Sequence, residues 1–555
     1  MNNFKNWINS GTPGIWFIAS AISVSLLLVF GVLAMTVERG LVYFWPHSIA
    51  EIQYAESDNS PPVRLIGELH TVEEIPISRL RNAGVTIDTP LAVVNRHLFK
   101  TGNRDVLGSD FRWIIDPFFK SVTYPQALLL IERFEWGNFY GYLRSVKEEG
   151  RVVAEGEAVW PAFQERMARV NQLHLRIREI EHGEIGSINY ALEKIRLANN
   201  RLERTANTDN SGKFAELERE KEALESRFRE LETELAALNT QVKRDSYTIE
   251  TMDGQMSDLP LAQVVRAVQP NAMTTLAKLR HYFVKLWEFV SDVPRESNTE
   301  GGIFPTIFGT VLMVILMAIV ATPLGVIAAV YLREYAKQGF VTRVIRIAVN
   351  NLAGVPSVVY GLFGLGFFVY FLGGSIDALF FSDALPSPTF GTGGILWASL
   401  TLSLLTLPVV IVATEEGLSR IPRSVREGSL ALGATKSETL WRTVLPMASP
   451  AIMTGLILAV ARAAGEVAPL MLVGVVKLAP SLPVDMNTPF LHLERKFMHL
   501  GFHVYDVGFQ SPNVEAARPL VYATALLLVL VIVVLNLSAI AIRNHLREKY
   551  RNLEN

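Results

Sequence analysis

Six apolar runs, each long enough to cross a bilayer, constrain this chain more than any other feature. The first covers residues 13–35, and five more lie at about 303–330, 348–372, 393–413, 447–475 and 519–541. A helix rises about 1.5 Å per residue, so about 20 apolar residues span the hydrocarbon core. No water inside the bilayer bonds to peptide groups, so such runs are expected to be helices. The expected fold class is an α-helical membrane protein with six spans. Half of the 555 residues are hydrophobic and 19% are charged, a balance that calls for a polar domain beside the spans. Residues 38–302 supply it.

Lys and Arg concentrate in cytoplasmic loops, and this orients the spans. The 331–347 loop carries Arg333, Lys337, Arg343 and Arg346, and the 414–446 loop carries Arg420, Arg423, Arg426, Lys436 and Arg442. The tail has Arg543, Arg547, Lys549 and Arg551, whereas the 373–392 loop has no basic residue and two acids, Asp377 and Asp383. Both termini and the two basic loops are therefore expected in the cytoplasm, with 38–302 periplasmic. The 476–517 loop, with Lys477, Arg495 and Lys496, fits less cleanly. The first run is longer than the apolar part of a signal peptide and ends in Met35-Thr36-Val37-Glu38, without a small-x-small cleavage site. It is expected to be an uncleaved anchor. The expected layout is a tail and first span at 1–37, the insert at 38–302, five further spans at 303–545, and a tail at 546–555.

Within the insert, residues 63–69, 85–94 and 127–142 read as strands punctuated by Gly and Pro. From about 165 to 245 the period changes to 3.5. Phe214, Leu217, Leu224, Phe228, Leu231, Leu235, Leu238 and Val242 follow alternating steps of three and four, with Lys221 in the one missing place. Ile185, Ile188, Leu192, Ile195 and Leu202 do the same upstream. Residues 207–212, N-T-D-N-S-G, separate the two runs and have turn chemistry. An antiparallel coiled-coil hairpin on a β-rich domain is expected, either as a self-packed spacer or as a contact for a partner protein.

Several functions are excluded or unsupported. There are no cysteines, so disulfides, thiolate metal sites and cysteine nucleophiles are out. A net charge of -2 gives no basis for nucleic-acid binding. The ten histidines form no H-E-x-x-H pattern, and no nucleophile elbow accompanies them. His492, His499 and His503 cluster at spacings of seven and four, but no carboxylate set supports a metal there. Residues 433–437, G-A-T-K-S, lack the spacing of a phosphate-binding loop, so ATP hydrolysis and a bound cofactor are not expected.

The most informative stretch is 427–446, E-G-S-L-A-L-G-A-T-K-S-E-T-L-W-R-T-V-L-P. Glu427 is followed six places later by Gly433, and nine residues then lead to Thr443-Val444-Leu445-Pro446. This resembles the coupling loop of bacterial ABC importer permeases: E-A-A, three residues, Gly, nine residues, then I-x-L-P. Gly428 and Ser429 replace the two alanines and remain small, and Thr443 replaces the isoleucine. Glycine permits a sharp bend at 433, and Pro446 suits the first turn of the next helix.

A second set of motifs narrows the family. Residues 461–470 read A-R-A-A-G-E-V-A-P-L, 331–336 read Y-L-R-E-Y-A, and 355–361 read V-P-S-V-V-Y-G. Together they resemble the PstA family of phosphate importer permease subunits, with Val467 where that family implies threonine. The resemblance covers the first span and about 300–545 but not most of the insert. It implies ATPase coupling through Glu427, Gly428, Ser429, Gly433, Leu445 and Pro446. It also implies a substrate path at Arg462 and Glu466, which share a face if the helix continues. The implied partners are a homologous second permease subunit, two ATPase subunits, a periplasmic phosphate-binding protein and membrane lipid. Permeation of another oxyanion, sulfate or molybdate, is the alternative within the class. A membrane-anchored sensor or scaffold is the alternative outside it.

Overall fold

The computed structural model describes residues 10, 12–55, 61–82, 91–204, 211–511 and 514–550. It contains six helices long and apolar enough to cross a membrane: Gly14–Val42, Phe304–Tyr335, Ser357–Phe380, Ile395–Arg420, Lys436–Gly465 and Val514–Glu548. Four of the apolar runs correspond closely to helices, and two depart from expectation. Residues 348–352 belong to a separate amphipathic helix, Phe340–Leu352, and the third span starts only after Pro356, at Ser357. Proline has no N–H to donate and pushes the preceding residue out of helical geometry, so the run divides there. The 447–475 run also divides: its helix stops at Gly465, and Glu466 takes extended geometry at φ -80, ψ 135.

Small residues bring the spans together, as expected where apolar side chains gain little by leaving lipid. Gly325 faces Val410, Gly455 faces Ala413, and Gly417 faces Ala451. The second, fourth and fifth spans share a core of Met313, Met317, Ala398, Leu402, Leu405, Ala463 and Ala464. Ser399 and Ser403 donate back to their own helix and also reach the Met313 and Met317 carbonyls. The first span is lipid-exposed on nearly every residue and meets the last span near Gly40 and Tyr522.

The insert begins as two antiparallel sheets packed face to face. One has the order β4 (Phe111–Ile115), β3 (Val93–Lys100), β2 (Val63–Pro76), β1 (Ile49–Tyr54), β5 (Phe119–Thr123). The other runs β10 (Met256–Pro260), β9 (Asp245–Glu250), β7 (Phe139–Glu148), β6 (Leu128–Arg133), β11 (Val264–Val268), with β8 (Arg151–Glu155) paired to β7. Strand β6 shows why the second sheet lies in the middle. Alternate residues Leu128 and Leu130 enter the core against the first sheet. Leu129 and Ile131 enter the core against the helix Val159–Arg178. Side chains alternate between faces of a strand, so a strand apolar at every position must be covered twice. Arg133 ends β6 fully buried. Its guanidinium bonds Asp105 at 2.7 and 3.0 Å and donates to the Gly137 and Trp136 carbonyls.

The expected strand at 127–142 is thus two strands, β6 and β7, joined through Trp136 and Gly137, both at positive φ. Of the expected strand at 85–94, residues 83–90 lie outside the described residues, and β3 begins at Val93. The helical part starts at Val159, continues through a π-turn into Ile185–Arg204, and returns as Ser211–Val242. Ile188 and Leu231 are buried between these helices, with Leu192, Leu224, Phe228 and Leu235 beside them. The expected turn at 207–212 lies mostly outside the described residues.

The Ile185–Arg204 helix rests on two loops of the membrane part. Tyr190 donates its hydroxyl to the Thr488 carbonyl and stacks edge-on to His492. Asn200 donates to the Asp383 carbonyl at 2.8 Å, and Arg201 pairs with the Asp383 carboxylate at 2.9 Å. The insert returns to the membrane through Thr275–Ser291, capped by the Thr274 hydroxyl, and a tight turn at 292–303.

The loop after the fifth span folds back so closely that a Cβ on Gly309 would lie 2.1 Å from the Met498 carbonyl oxygen. Gly309→Ala is expected to destabilise the protein by about 1–3 kcal/mol through overpacking. Gly183→Ala, which meets nothing within 4 Å, serves as control. Thermal unfolding of the purified protein reads the difference, and equal midpoints for both variants would count against this packing.

Candidate functional site

The polar knob between the fourth and fifth spans is built from two short helices. Arg423–Ala431 forms the first arm and Lys436–Thr439 opens the second. Gly433 joins them at φ +89, a conformation that costs side-chain-bearing residues about 1–2 kcal/mol. Thr435 caps the second arm. Its hydroxyl accepts from the Glu438 N–H at 3.2 Å, and the Glu438 carboxylate accepts from the Thr435 N–H at 2.9 Å. That hydrogen bonding, from the Thr435 backbone first and then its hydroxyl, holds the Glu438 carboxyl below its ordinary range.

Ser429 and Thr439 tie the two arms through their hydroxyls at 2.9 Å. Beneath them Leu418, Ile421, Leu440, Val444 and Ala448 form a buried base, with Leu445 at its edge. Pro446 stands in the first turn of the Leu445–Gly465 helix, as expected. Glu427 and Gly428 lie on the exposed surface, and a Cβ on Gly428 would meet nothing within 4 Å. Its smallness serves no packing inside this chain and leaves room for an approaching surface. The six coupling-loop residues are therefore distributed between a rigid base and an open face.

Sequence reasoning missed what anchors this knob. Arg426 donates to the Leu418 and Ile421 carbonyls at 2.8 and 2.7 Å and to Glu334 at 2.9 Å. Lys436 donates to the Glu334 carbonyl, its ammonium 4.6 Å from the Tyr335 ring centroid. Glu334 and Tyr335 belong to the Y-L-R-E-Y-A motif at the end of the second span, so the two motifs form one unit. Missed too were Leu432, 91% exposed, and Trp441, 66% exposed, which give the knob apolar contact area. Their placement beside the glycine bend was the available signal.

Arg462 and Glu466 come together, with Nε and Oε1 3.5 Å apart. They do not share a helical face, because Glu466 is the first residue past the helix end. Both are partly accessible, at 33% and 21%. Val467 follows, and its γ-methyl packs on Gly501. Gly361 packs against Pro469, which brings the start of the third span to the same break.

The three histidines after the fifth span do not converge. His492 bonds Asp485 at 3.0 Å and Glu494 at 3.2 Å. Burial opposes ionisation of Asp485, but bonds from the Asn487 N–H, Arg495 and His492 hold its carboxyl at about 2. His499 accepts from the Gly501 N–H, and His503 faces Thr524. Burial lowers these two imidazoles to about 3 and 4, so both are neutral at neutral pH. Among the described residues, no group of three histidine or carboxylate side chains is arranged to hold a metal ion.

Residues 321–552 match the family of binding-protein-dependent transport system inner membrane components. A phosphate transport system permease protein, PstA 1, of Mycobacterium tuberculosis (strain CDC 1551 / Oshkosh) is 36% identical over 245 residues, 44% of this chain and 71% of that protein. The chain belongs to this permease family, in its PstA-type branch. The probable ABC transporter permease protein YqgI of Bacillus subtilis is 30% identical over 260 residues, 46% of this chain and 81% of that relative. YqgH of the same organism is 36% identical over 194 residues, 35% of this chain and 59% of that relative. The family match thus holds the knob and the Arg462–Glu466 break, and the whole insert lies outside it.

Removing the Thr435 hydroxyl tests the knob's construction. Thr435→Ala is expected to loosen the second arm by about 1 kcal/mol, read as roughly fivefold faster amide exchange at 436–440. Unchanged exchange there would show that the cap does not hold this arm.

Proposed function

We propose that this chain is the permease subunit of an ATP-binding-cassette importer that moves inorganic phosphate across the inner membrane by alternating access. The observation that carries the proposal is a guanidinium, Arg462, at a helix break within the span bundle, in a chain related to PstA proteins. A charge at bilayer depth costs at least ~2.5 kcal/mol on insertion scales, so it needs a partner or a water-filled path. A guanidinium offers an oxyanion planar, paired donors. Glu466, 3.5 Å away, orients Arg462 and limits its affinity, so that phosphate is released and not trapped.

The remaining assignments follow from the same proposal. Both termini and the knob face the cytoplasm, and 38–302 forms a periplasmic insert whose helices near 165–245 pair as an antiparallel coiled coil. Residues 1–37 form a tail and the first span, 303–545 form the permease domain with the other five spans, and 546–555 form a second tail. Two separate ATPase subunits receive the knobs of this chain and of a homologous second permease subunit, and a periplasmic binding protein delivers phosphate. Glu427, Gly428 and Ser429 meet the ATPase, while Gly433, Leu445 and Pro446 hold the knob's shape. ATP-driven closure of the ATPase pair pulls the knobs and switches the bundle between inward- and outward-facing states.

Orientation is tested by reporters active only outside the cytoplasm. A fusion at Gly150 is expected to be active and one at Lys436 inactive, and cytoplasmic behaviour at Gly150 would sink the assignment. Coupling is tested by Glu427→Lys and Gly433→Val, each expected to abolish uptake while the chain remains in the membrane. Normal transport in both would remove the knob's role. The anion role is tested by the neutral pair Arg462→Gln with Glu466→Gln, measured as radiolabelled phosphate uptake with sulfate and molybdate as competitors. That variant is expected to assemble normally and to import less than about a tenth of wild-type phosphate. Robust uptake would falsify the role of Arg462, and competition by sulfate or molybdate at equal concentration would move the substrate to another oxyanion.

A further inference from the structure

A cavity of about 520 Å³ lies where the insert meets the external ends of the first and last spans. Its two opposite walls differ in charge. The membrane-side wall comes from residues 38–47 and 516–522, which flank the apolar stretches of those spans. A Cβ on Gly40 would lie 3.0 Å from the Tyr522 carbonyl oxygen, so the two spans approach closely beside Arg39. The Arg39 guanidinium donates to the Tyr522 hydroxyl at 2.9 Å and sits 5.2 Å from its ring centroid. Arg518 lines the same wall, 53% exposed and 2.6 Å from Glu515. Glu38 is the acid on this wall.

The insert-side wall carries Glu68, Glu300 and Asp292, with Lys100 and Arg295 as cations acting on Glu300. Glu132 and Glu288 also line it, but these are already neutralised by Lys285 and Arg266. Among the described residues, neither Glu68 nor Glu300 forms an ion pair. Burial pushes both carboxyls up to about 7, against the pull of Lys100. A second cation brought between them would favour their ionised forms.

Guanidinium and phenol donors at the membrane side, with carboxylates on the insert side, match a zwitterion whose phosphate enters second. Tyr43 and Trp45 also line the cavity, and aromatic residues of this kind are enriched at bilayer interfaces. We propose that this cavity holds the aminoalkyl phosphodiester headgroup of a bilayer lipid, its phosphate on Arg39, Arg518 and Tyr522 and its ammonium against Glu68 and Glu300. The site lies mainly outside the region matched by the family, and it ties the insert to the first and last spans through a lipid.

The test is native mass spectrometry of the full-length protein equilibrated with equimolar phosphatidylethanolamine and phosphatidylglycerol. The wild type is expected to retain the ethanolamine lipid about tenfold better, a difference of about 1.4 kcal/mol. Glu68→Gln with Glu300→Gln is expected to abolish that preference while leaving lipid bound. Arg39→Gln with Arg518→Gln is expected to release both lipids, and Arg518→Gln alone, at an exposed position, weakens retention without a folding change. Free O-phosphoethanolamine that displaces the lipid would keep the recognition chemistry and move its source to solution. Failure to displace it keeps the bilayer as the source. Equal retention of the two lipids by the wild type, or an unchanged preference in the carboxylate variant, overturns the proposal.

Discussion

Inside a bilayer, every backbone group that a helix break sets free has to be satisfied by protein, because lipid offers no hydrogen bond. The membrane part of this chain is organised around that requirement. Where Pro356 interrupts the third apolar run, the Tyr360 hydroxyl bonds the freed Leu352 carbonyl at 2.6 Å. The fourth span begins with the Ile395 and Leu396 N–H groups bonded to the Arg495 and Leu493 carbonyls of the returning loop. That loop's own short helix begins with the Leu500 N–H on the Thr310 hydroxyl at 2.9 Å. The Arg462–Glu466 pair sits at another such break. Polar geometry at depth is therefore held by the surrounding spans, and this lets an ion pair stand in an apolar bundle with a fixed orientation.

The knob is stiff for a different reason. Its first arm is nine residues long, and a helix that short has little stability alone. A hydroxyl bridge, a capping box and an apolar base replace the missing length. Arg426 and Lys436 then fasten the whole to Glu334 at the end of another span. A force applied at the exposed Leu432 and Trp441 would reach two spans at once.

Much of the membrane part was legible in the sequence because span-forming apolarity is a local property. The two-armed knob at 423–446 was legible because its glycine, proline and capping residues each act within a few positions. The break at Gly465 was not, since residues 463–469, A-A-G-E-V-A-P, stay apolar apart from one acid, and only Pro469 hinted at it. The insert was less legible still. Strand β1 pairs with both β2 and β5, and nothing local in I-A-E-I-Q-Y names either partner. Nothing local marks Arg133 for the interior, and its burial depends on Asp105, 28 positions away. Tyr190 reaches Thr488 across 298 residues, a contact that only the assembled chain defines.

The first span has almost no packing partner. Along its apolar length only Thr36 and Gly40 lose much of their surface, and both lie toward one end. It is hinged, in effect, at the Gly40–Tyr522 crossing, with the opposite end unsupported. A rod held at one point can swing through a wide arc of lipid at little energetic cost. The bundle could thus rearrange beneath the insert without dragging this helix along, and the free end is available to lie against whatever helix comes alongside.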